Sequence, residues 1–272
     1  RAIDLGELDV HYQPQADLRT GTLCGLEALV RWNDPSRGVV PTNELIQLAE
    51  DAGVISEITH FVCGTAMKHF RAWQLSRLVP GLRLAINISG IEVRDGVLPS
   101  MLRAHLREAE LSMSMIELEL TESGLMLSDA VATQLLSDLR EEGVRVSVDD
   151  FGTGYSSLGR LQRLPVDVLK IDKGFVEDIG TRSKQGALVR AIIMMAHSLD
   201  LIVVAEGVEN EVQRAYLERH GCDIYQGHLL SPPLPAAEME QYLRLRHAAP
   251  SPAQVARKTR TRVASAQQAA LE

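Results

Sequence analysis

Seven short apolar stretches of this chain each end on polar side chains: Glu27, Asn87, Glu119, Asp149 followed at once by Asp150, Lys170 with Asp172 close behind, Glu206, and Gln226. Any one of these alone reads as a solvated loop residue or a helix cap. Brought to one place they are harder to explain, because a cluster of uncompensated carboxylates repels itself and calls for a cation among them. The candidate ligands are all oxygens, a set that suits Mg²⁺ or Mn²⁺, with Ca²⁺ as a competitor, and not zinc. The adjacent pair Asp149-Asp150 offers a carboxylate to bridge two ions. Two ions roughly 3.5–4 Å apart are the usual device for cleaving a phosphodiester. Lys170 then reads as a fixed cation near an attacking water or a phosphoryl oxygen; the plainer alternative is a lysine that only balances acids.

The elements that must bring these residues together follow from hydrophobic periodicity. Strands are expected near residues 8–13, 23–32, 83–88, 115–120, 144–148, 167–171, 201–205 and 223–226. Helices are expected near 42–52, 56–78, 98–110, 129–142, 184–199, 209–220 and 236–246, with a shorter piece over 156–161. Pro41-Thr42 with Glu44 following predicts a capped helix start, and Gly143 and Gly221 predict helix stops. Strands separated by helices of this length imply right-handed crossovers and a parallel sheet, and about eight of each fit a closed barrel better than an open one. Only residues 16–21, with Asp17 and Thr20-Gly21 as turn formers, separate the first two strands, so that pair is a hairpin. The fold class is therefore α/β, a modified (β/α)8 TIM barrel whose first strand runs antiparallel. In such a barrel catalytic groups project from the C-terminal strand ends, which is where the seven polar positions fall.

Length and composition agree with one barrel. The chain has 272 residues, 45% hydrophobic and 24% charged, with a net charge of −8. From Ala248 onward Arg257, Lys258, Arg260 and Arg262 face only Glu272, net +3, so the preceding body carries −11. An acidic body argues against long nucleic acids as partners. Residues 1–247 are assigned to the barrel and 248–272 to a flexible basic tail, with a short helix near 264–271. The most apolar stretch, residues 187–208, is broken by Arg190, His197 and Asp200, short of the ~20 apolar residues of a membrane span. Cys24, Cys63 and Cys222 are widely spaced and odd in number, which points to a reducing, cytoplasmic compartment. No signal peptide is visible, and a start at Arg1 rather than Met reads as a piece of a longer protein.

Six segments in order carry a resemblance: Tyr12-Gln13-Pro14, Glu27-Ala28-Leu29-Val30-Arg31-Trp32, Glu117-Leu118-Glu119-Leu120-Thr121-Glu122, Asp149-Asp150-Phe151-Gly152-Thr153-Gly154-Tyr155-Ser156-Ser157-Leu158, Leu169-Lys170-Ile171-Asp172 and Ala205-Glu206-Gly207-Val208-Glu209. Over residues 1–246 the chain resembles the EAL domains of bacterial signalling proteins. The resemblance implies hydrolysis of cyclic di-GMP to linear pGpG with two Mg²⁺ or Mn²⁺ ions. Carried over by motif, Glu27, Asn87, Glu119 and Asp149 would hold one ion. Asp149, Asp150 and Glu206 would hold the other, with Asp149 bridging. Lys170 would position the nucleophilic water beside Asp172. Gln13, Leu29, Arg31, Glu209 and Gln226 would face the substrate, and Glu122 would anchor a loop over 151–158 that couples metal, substrate and a homodimer. Sensory or cyclase domains commonly accompany such domains. Departures from the pattern fall at residues 44–50, which lack the usual Phe and Pro, at Gly90-Ile91, and at His228 in place of an aromatic residue. They bear on substrate affinity and loop packing more than on chemistry.

Two other readings compete. A cyclic di-GMP receptor that does not cleave its ligand would need no second metal. A one-metal barrel enzyme using Lys170 as base on a carbon acid would leave most of the acids without a use.

Overall fold

The computed structural model describes residues 2–126, 130–152, 158–180 and 183–248. The expected tail (all but Ala248) and the centre of the expected loop, 153–157, therefore lie outside the described residues. In chain order the elements are β1 (Leu8–Asp17), β2 (Leu23–Asp34), β3 (Gly38–Val40), α1 (Thr42–Asp51), α2 (Ile55–Leu75), β4 (Arg83–Asn87), α3 (Gly90–Asp95) and α4 (Leu98–Ala109). After a 3₁₀ turn at Met113–Met115 come β5 (Ile116–Thr121), α5 (Glu122–Met126), α6 (Ala130–Glu141), β6 (Arg145–Phe151), α7 (Leu158–Leu161), β7 (Val168–Ile171) and α8 (Lys173–Val176). The chain continues through α9 (Ser183–Ser198), β8 (Ile202–Ala205), α10 (Glu211–Arg219), β9 (Ile224–Gln226), β10 (Leu234–Pro235) and α11 (Ala236–Ala248).

The sheet closes on itself. From β2 the parallel pairs β2–β4, β4–β5, β5–β6, β6–β7, β7–β8 and β8–β9 run round the barrel, and β1 pairs antiparallel with both β2 and β9 to complete eight strands. The five residues 18–22 between β1 and β2 cannot carry a parallel crossover, so the hairpin forces β1 to run backwards. Its N-terminal Leu8 therefore lies opposite Trp32, toward the end where β2 finishes. β3 and β10 are short additions on β2 and β1.

Strand alternation divides the side chains into two sets. Leu118, Leu120, Val146, Val148, Leu169, Ile171 and Val203 are buried in the hydrophobic core. The helices cover this outer face with apolar residues at three- and four-residue spacing, as Ile55, Ile58, Val62, Ala66, Phe70 and Trp73 do on α2. The alternate positions, Gln13, Gln15, Glu27, Glu117, Glu119, Ser147, Asp149 and Lys170, are buried as well. The barrel interior is thus polar where branched apolar residues are usual.

Gly143 and Gly221 adopt positive φ, 104° and 81°, as helix stops require. The start of α1 differs from expectation. Pro41 occupies the cap position without a side-chain bond, because Thr42 Oγ1 instead accepts from Arg31 and donates to the carbonyl of Val30. The helix expected from 209 begins at Glu211, since Asn210 and Gln213 form a capping box ahead of it.

Candidate active site

Lys170 is fully buried at the centre of the acids. Its Nζ lies 2.8 Å from Glu119 Oε2, 2.8 Å from Glu206 Oε1, 3.0 Å from Asp149 Oδ1 and 3.8 Å from Glu27 Oε1. One ammonium thus serves four carboxylates, supplied by β2, β5, β6 and the end of β8. Glu27 is oriented from two further sides. Asn87 Nδ2 donates to its Oε1 at 2.8 Å, and Gln226 Nε2 donates to its Oε2. Gln226 also donates to Gln13 Oε1 at 2.8 Å.

Asp149 and Asp150 are neighbours in sequence, and regular strand alternation would turn their side chains to opposite faces. The chain breaks the alternation here. Asp150 takes a left-handed conformation, φ 53°, and the β6–β7 register shifts between Val148 and Phe151. Asp149, Asp150 and Glu206 consequently present carboxylate oxygens that all lie within 4.8 Å of one another.

The electrostatics follow from this crowding. Burial works against the charge on Lys170, but the carboxylates, Asp149 and Glu119 foremost, outweigh it and hold the ammonium well above its ordinary value. Burial, reinforced by Glu27, pushes Glu119 well above the carboxylate range despite Lys170. Burial pushes Glu206 up to about 8, with Lys170 pulling against it and Asp149 adding to it. Asp150 is raised by burial and by Asp149. Glu27 alone goes the other way: burial opposes its charge, yet Lys170 and the Gln226 amide hold it below the usual range. Glu119 Oε1 is buried with no hydrogen-bond partner, a situation that costs about 1–3 kcal/mol. An excess of buried acid, an orphaned carboxylate oxygen and an all-oxygen donor set together fit a hard divalent cation.

The remaining expected residues divide. Arg31 is half-buried on β2, its Nη1 bonded to the Val30 carbonyl and Thr42 Oγ1, and Leu29 precedes it on the same strand. Asp172 caps α8 by accepting from the Gly174 N–H at 2.9 Å, so one of its oxygens is already in use. Glu209 is exposed, and its side chain joins none of the contacts described for the cluster. Glu122 is buried, with Oε2 accepting from the Gly152 N–H at 2.8 Å and Oε1 without a partner. Of the departures, His228 is exposed. Gly90 packs so closely on α5 that a Cβ there would lie 2.8 Å from Gly124 Cα. Glu50 accepts from Ser89 Oγ at 2.6 Å. Sequence reasoning missed Gln15 and Thr42, although Gln15 stands two residues from Gln13 on a strand, which places both on one face.

A closed barrel with an all-oxygen acidic cluster at the C-terminal strand ends has the form of a site for hard divalent cations. The chain belongs to the EAL domain family, whose model matches residues 1–233. NbdA, a cyclic di-GMP phosphodiesterase of Pseudomonas aeruginosa, is 42% identical over 238 residues, covering 88% of this chain and 30% of NbdA. PdeR, a cyclic di-GMP phosphodiesterase of Escherichia coli, is 38% identical over 242 residues, covering 89% of this chain and 36% of PdeR. The solved PaMucR phosphodiesterase in complex with c-di-GMP matches with a TM-score of 0.82 at 38% identity, over 88% of this chain and 96% of that one. The chain spans about a third of the length of these curated relatives. No described helix is long and apolar enough to cross a membrane.

Proposed function

We propose that this chain hydrolyses cyclic di-GMP to linear pGpG. The observation that carries the reading is the ratio of four carboxyl groups, three buried and Glu206 half-buried, to one buried ammonium, in a chain of the EAL family. Glu27, Asn87, Glu119 and Asp149 would hold one Mg²⁺ or Mn²⁺; Asp149, Asp150 and Glu206 would hold a second, with Ca²⁺ competing for the same oxygens. Bound ions of this kind neutralise charge on the phosphodiester and acidify the attacking water.

The chain's own residues do the rest. Lys170, fixed by three close carboxylates, orients the attacking water and offers positive charge to the phosphoryl oxygens. Water oxygen attacks phosphorus, one P–O3′ bond breaks, and the ring opens to a 5′-phosphate and a free 3′-hydroxyl. Arg31 suits a phosphate or a guanine edge through its planar fork, with Gln13, Leu29, Asp172, Glu209 and Gln226 completing the substrate-facing set. Glu122 anchors the loop through Gly152 and links the site to a homodimer, so Glu122→Ala should change metal-dependent association in solution scattering more than it changes metal affinity. Residues 1–247 act as the barrel within a longer, cytoplasmic protein that adds sensory or cyclase domains.

The test is chromatography of cyclic di-GMP incubated with the purified chain in Mg²⁺, in Mn²⁺ and in EDTA. Metal-dependent appearance of pGpG is the expected result. Tight binding of intact cyclic di-GMP would make the chain a receptor and defeat the reading.

A further inference from the structure

Gln15 sits on β1 one inward-facing position below Gln13, away from the mouth, 4% exposed and directly opposite Gln226 of β9. Its Nε2 donates to Gln226 Oε1 at 2.9 Å. Gln226 Nε2 donates onward to Gln13 Oε1 and to Glu27, and Gln13 Nε2 donates to the Ser231 carbonyl at 3.1 Å. All four side chains are buried.

The sense of every amide in this chain is forced by its ends. Ser231 offers a carbonyl and ionised Glu27 offers only acceptors, so each must meet an N–H. Gln13 therefore turns its nitrogen to Ser231 and its oxygen to Gln226. Gln226 must then spend both N–H groups, one on Gln13 and one on Glu27, which leaves its oxygen facing Gln15. The Gln15 N–H is the hydrogen bond on that buried oxygen, and without it Gln226 has reason to rotate away from Glu27.

Room for Gln15 comes from β2. A Cβ built on Gly25 would lie 2.4 Å from Gln15 Oε1 and 3.3 Å from its Cδ. Gly25 has no positive φ to account for a glycine in this strand. Its missing side chain is where the Gln15 amide lies.

We propose that Gln15, seated on Gly25, is a positioning residue that fixes the amide of Gln226 and through it the Glu27 carboxylate in the attitude that receives a divalent cation. The inference rests on the proposed function for the cation's role, and its test reads metal binding separately from cleavage. Partners that act behind a metal ligand change affinity or activity by about 10–100-fold when removed.

Mn²⁺ binding would be followed by the paramagnetic signal of the free ion for the wild type, Gln15→Met, Gln15→Glu, Gly25→Ala and the double variant Gln15→Met/Gly25→Ala, with melting curves in EDTA alongside. Gln15→Met should weaken Mn²⁺ binding by about tenfold or more without a matching fall in melting temperature. Gly25→Ala should do the same by displacing the amide, and the double variant should be no worse than the worse single one, because both remove one hydrogen bond. Gln15→Glu should lose most affinity at pH 8 and recover relative to wild type as the pH falls, since a protonated carboxyl donates where a carboxylate cannot. Unchanged Mn²⁺ affinity in Gln15→Met overturns the proposal, and so do additive losses in the double variant. Wild-type Mn²⁺ binding without pGpG removes the hydrolase reading and leaves this inference to the isotherms; a wild type that binds no Mn²⁺ overturns both.

Discussion

Glu117 and Glu119 stand two residues apart on β5, point into the same barrel and are 4% and 0% exposed, yet they live in opposite surroundings. Toward the N-terminal strand ends, Glu117 has its own guanidinium: Arg145 Nη1 lies 3.7 Å away and opposes the upward push of burial on its carboxyl. Neighbouring acids at that end have partners of their own. Arg140 grips Asp167 through Nε and Nη2, and His197 meets Asp223 at 2.9 Å. Toward the C-terminal strand ends, Glu119 shares one lysine with three other carboxylates. Paired acids hold strands together, whereas an acid surplus costs stability and makes sense only if a cation arrives.

That contrast can be broken at several points. The largest effect belongs to the residues proposed to hold the cations: Asp149→Ala and Glu27→Ala should each lower cyclic di-GMP turnover by about 10²–10³-fold or more. In EDTA the melting temperature of Glu27→Ala should fall, since Lys170 and the Gln226 amide favour its charge and its loss strands the Asn87 and Gln226 N–H groups. Near-normal turnover in either would sink the assignment. Lys170→Met comes next. It should lose rate by about 10²–10⁴-fold and still bind cyclic di-GMP by calorimetry. In EDTA it should also lose about 3–5 kcal/mol of stability, recovered when Mg²⁺ replaces the missing charge.

The pH response should be smaller and directional. Glu206, raised from 4.5 to about 8 in the folded chain, holds its proton more tightly folded than unfolded. Its contribution is therefore complete below about pH 4.5 and is lost as the pH climbs through 8. Melting temperatures in EDTA should fall from pH 5 to pH 8.5, and Mg²⁺ should flatten the slope; a rising EDTA curve would contradict the crowding. The smallest effect lies at the other end of the barrel. Arg140→Ala should cost about 1 kcal/mol in a denaturant titration and leave turnover untouched.

The long strands and helices were legible because their periodicity is sustained. The polar strand ends could be read as one mouth because the topology makes them converge. β3, β10, α3, α5 and α8, of two to six residues each, are too short to show a period. The hairpin predicted the reversed strand correctly, but β1 runs on to Asp17, beyond the expected end at 13. Glu117 and Glu119 look alike in sequence, and only the register that sets Glu117 beside Arg145 separates them. Asp149-Asp150 was legible as an acidic pair beside Glu206, while the left-handed turn at Asp150 that brings their carboxylates together was not. Gln15 was overlooked because a glutamine in a strand reads as solvent-facing until the opposite strand is known.

The reversal of β1 also has a mechanical side. Because Leu8 lies opposite Trp32 and Gln13 opposite Glu27, the strand is a short rod running from the rim inward, with the glutamine ladder roughly 17 Å along it. Tension applied ahead of Leu8 would run along β1 and its ladder to β2 toward Gln13 and Gln15, without passing through any helix.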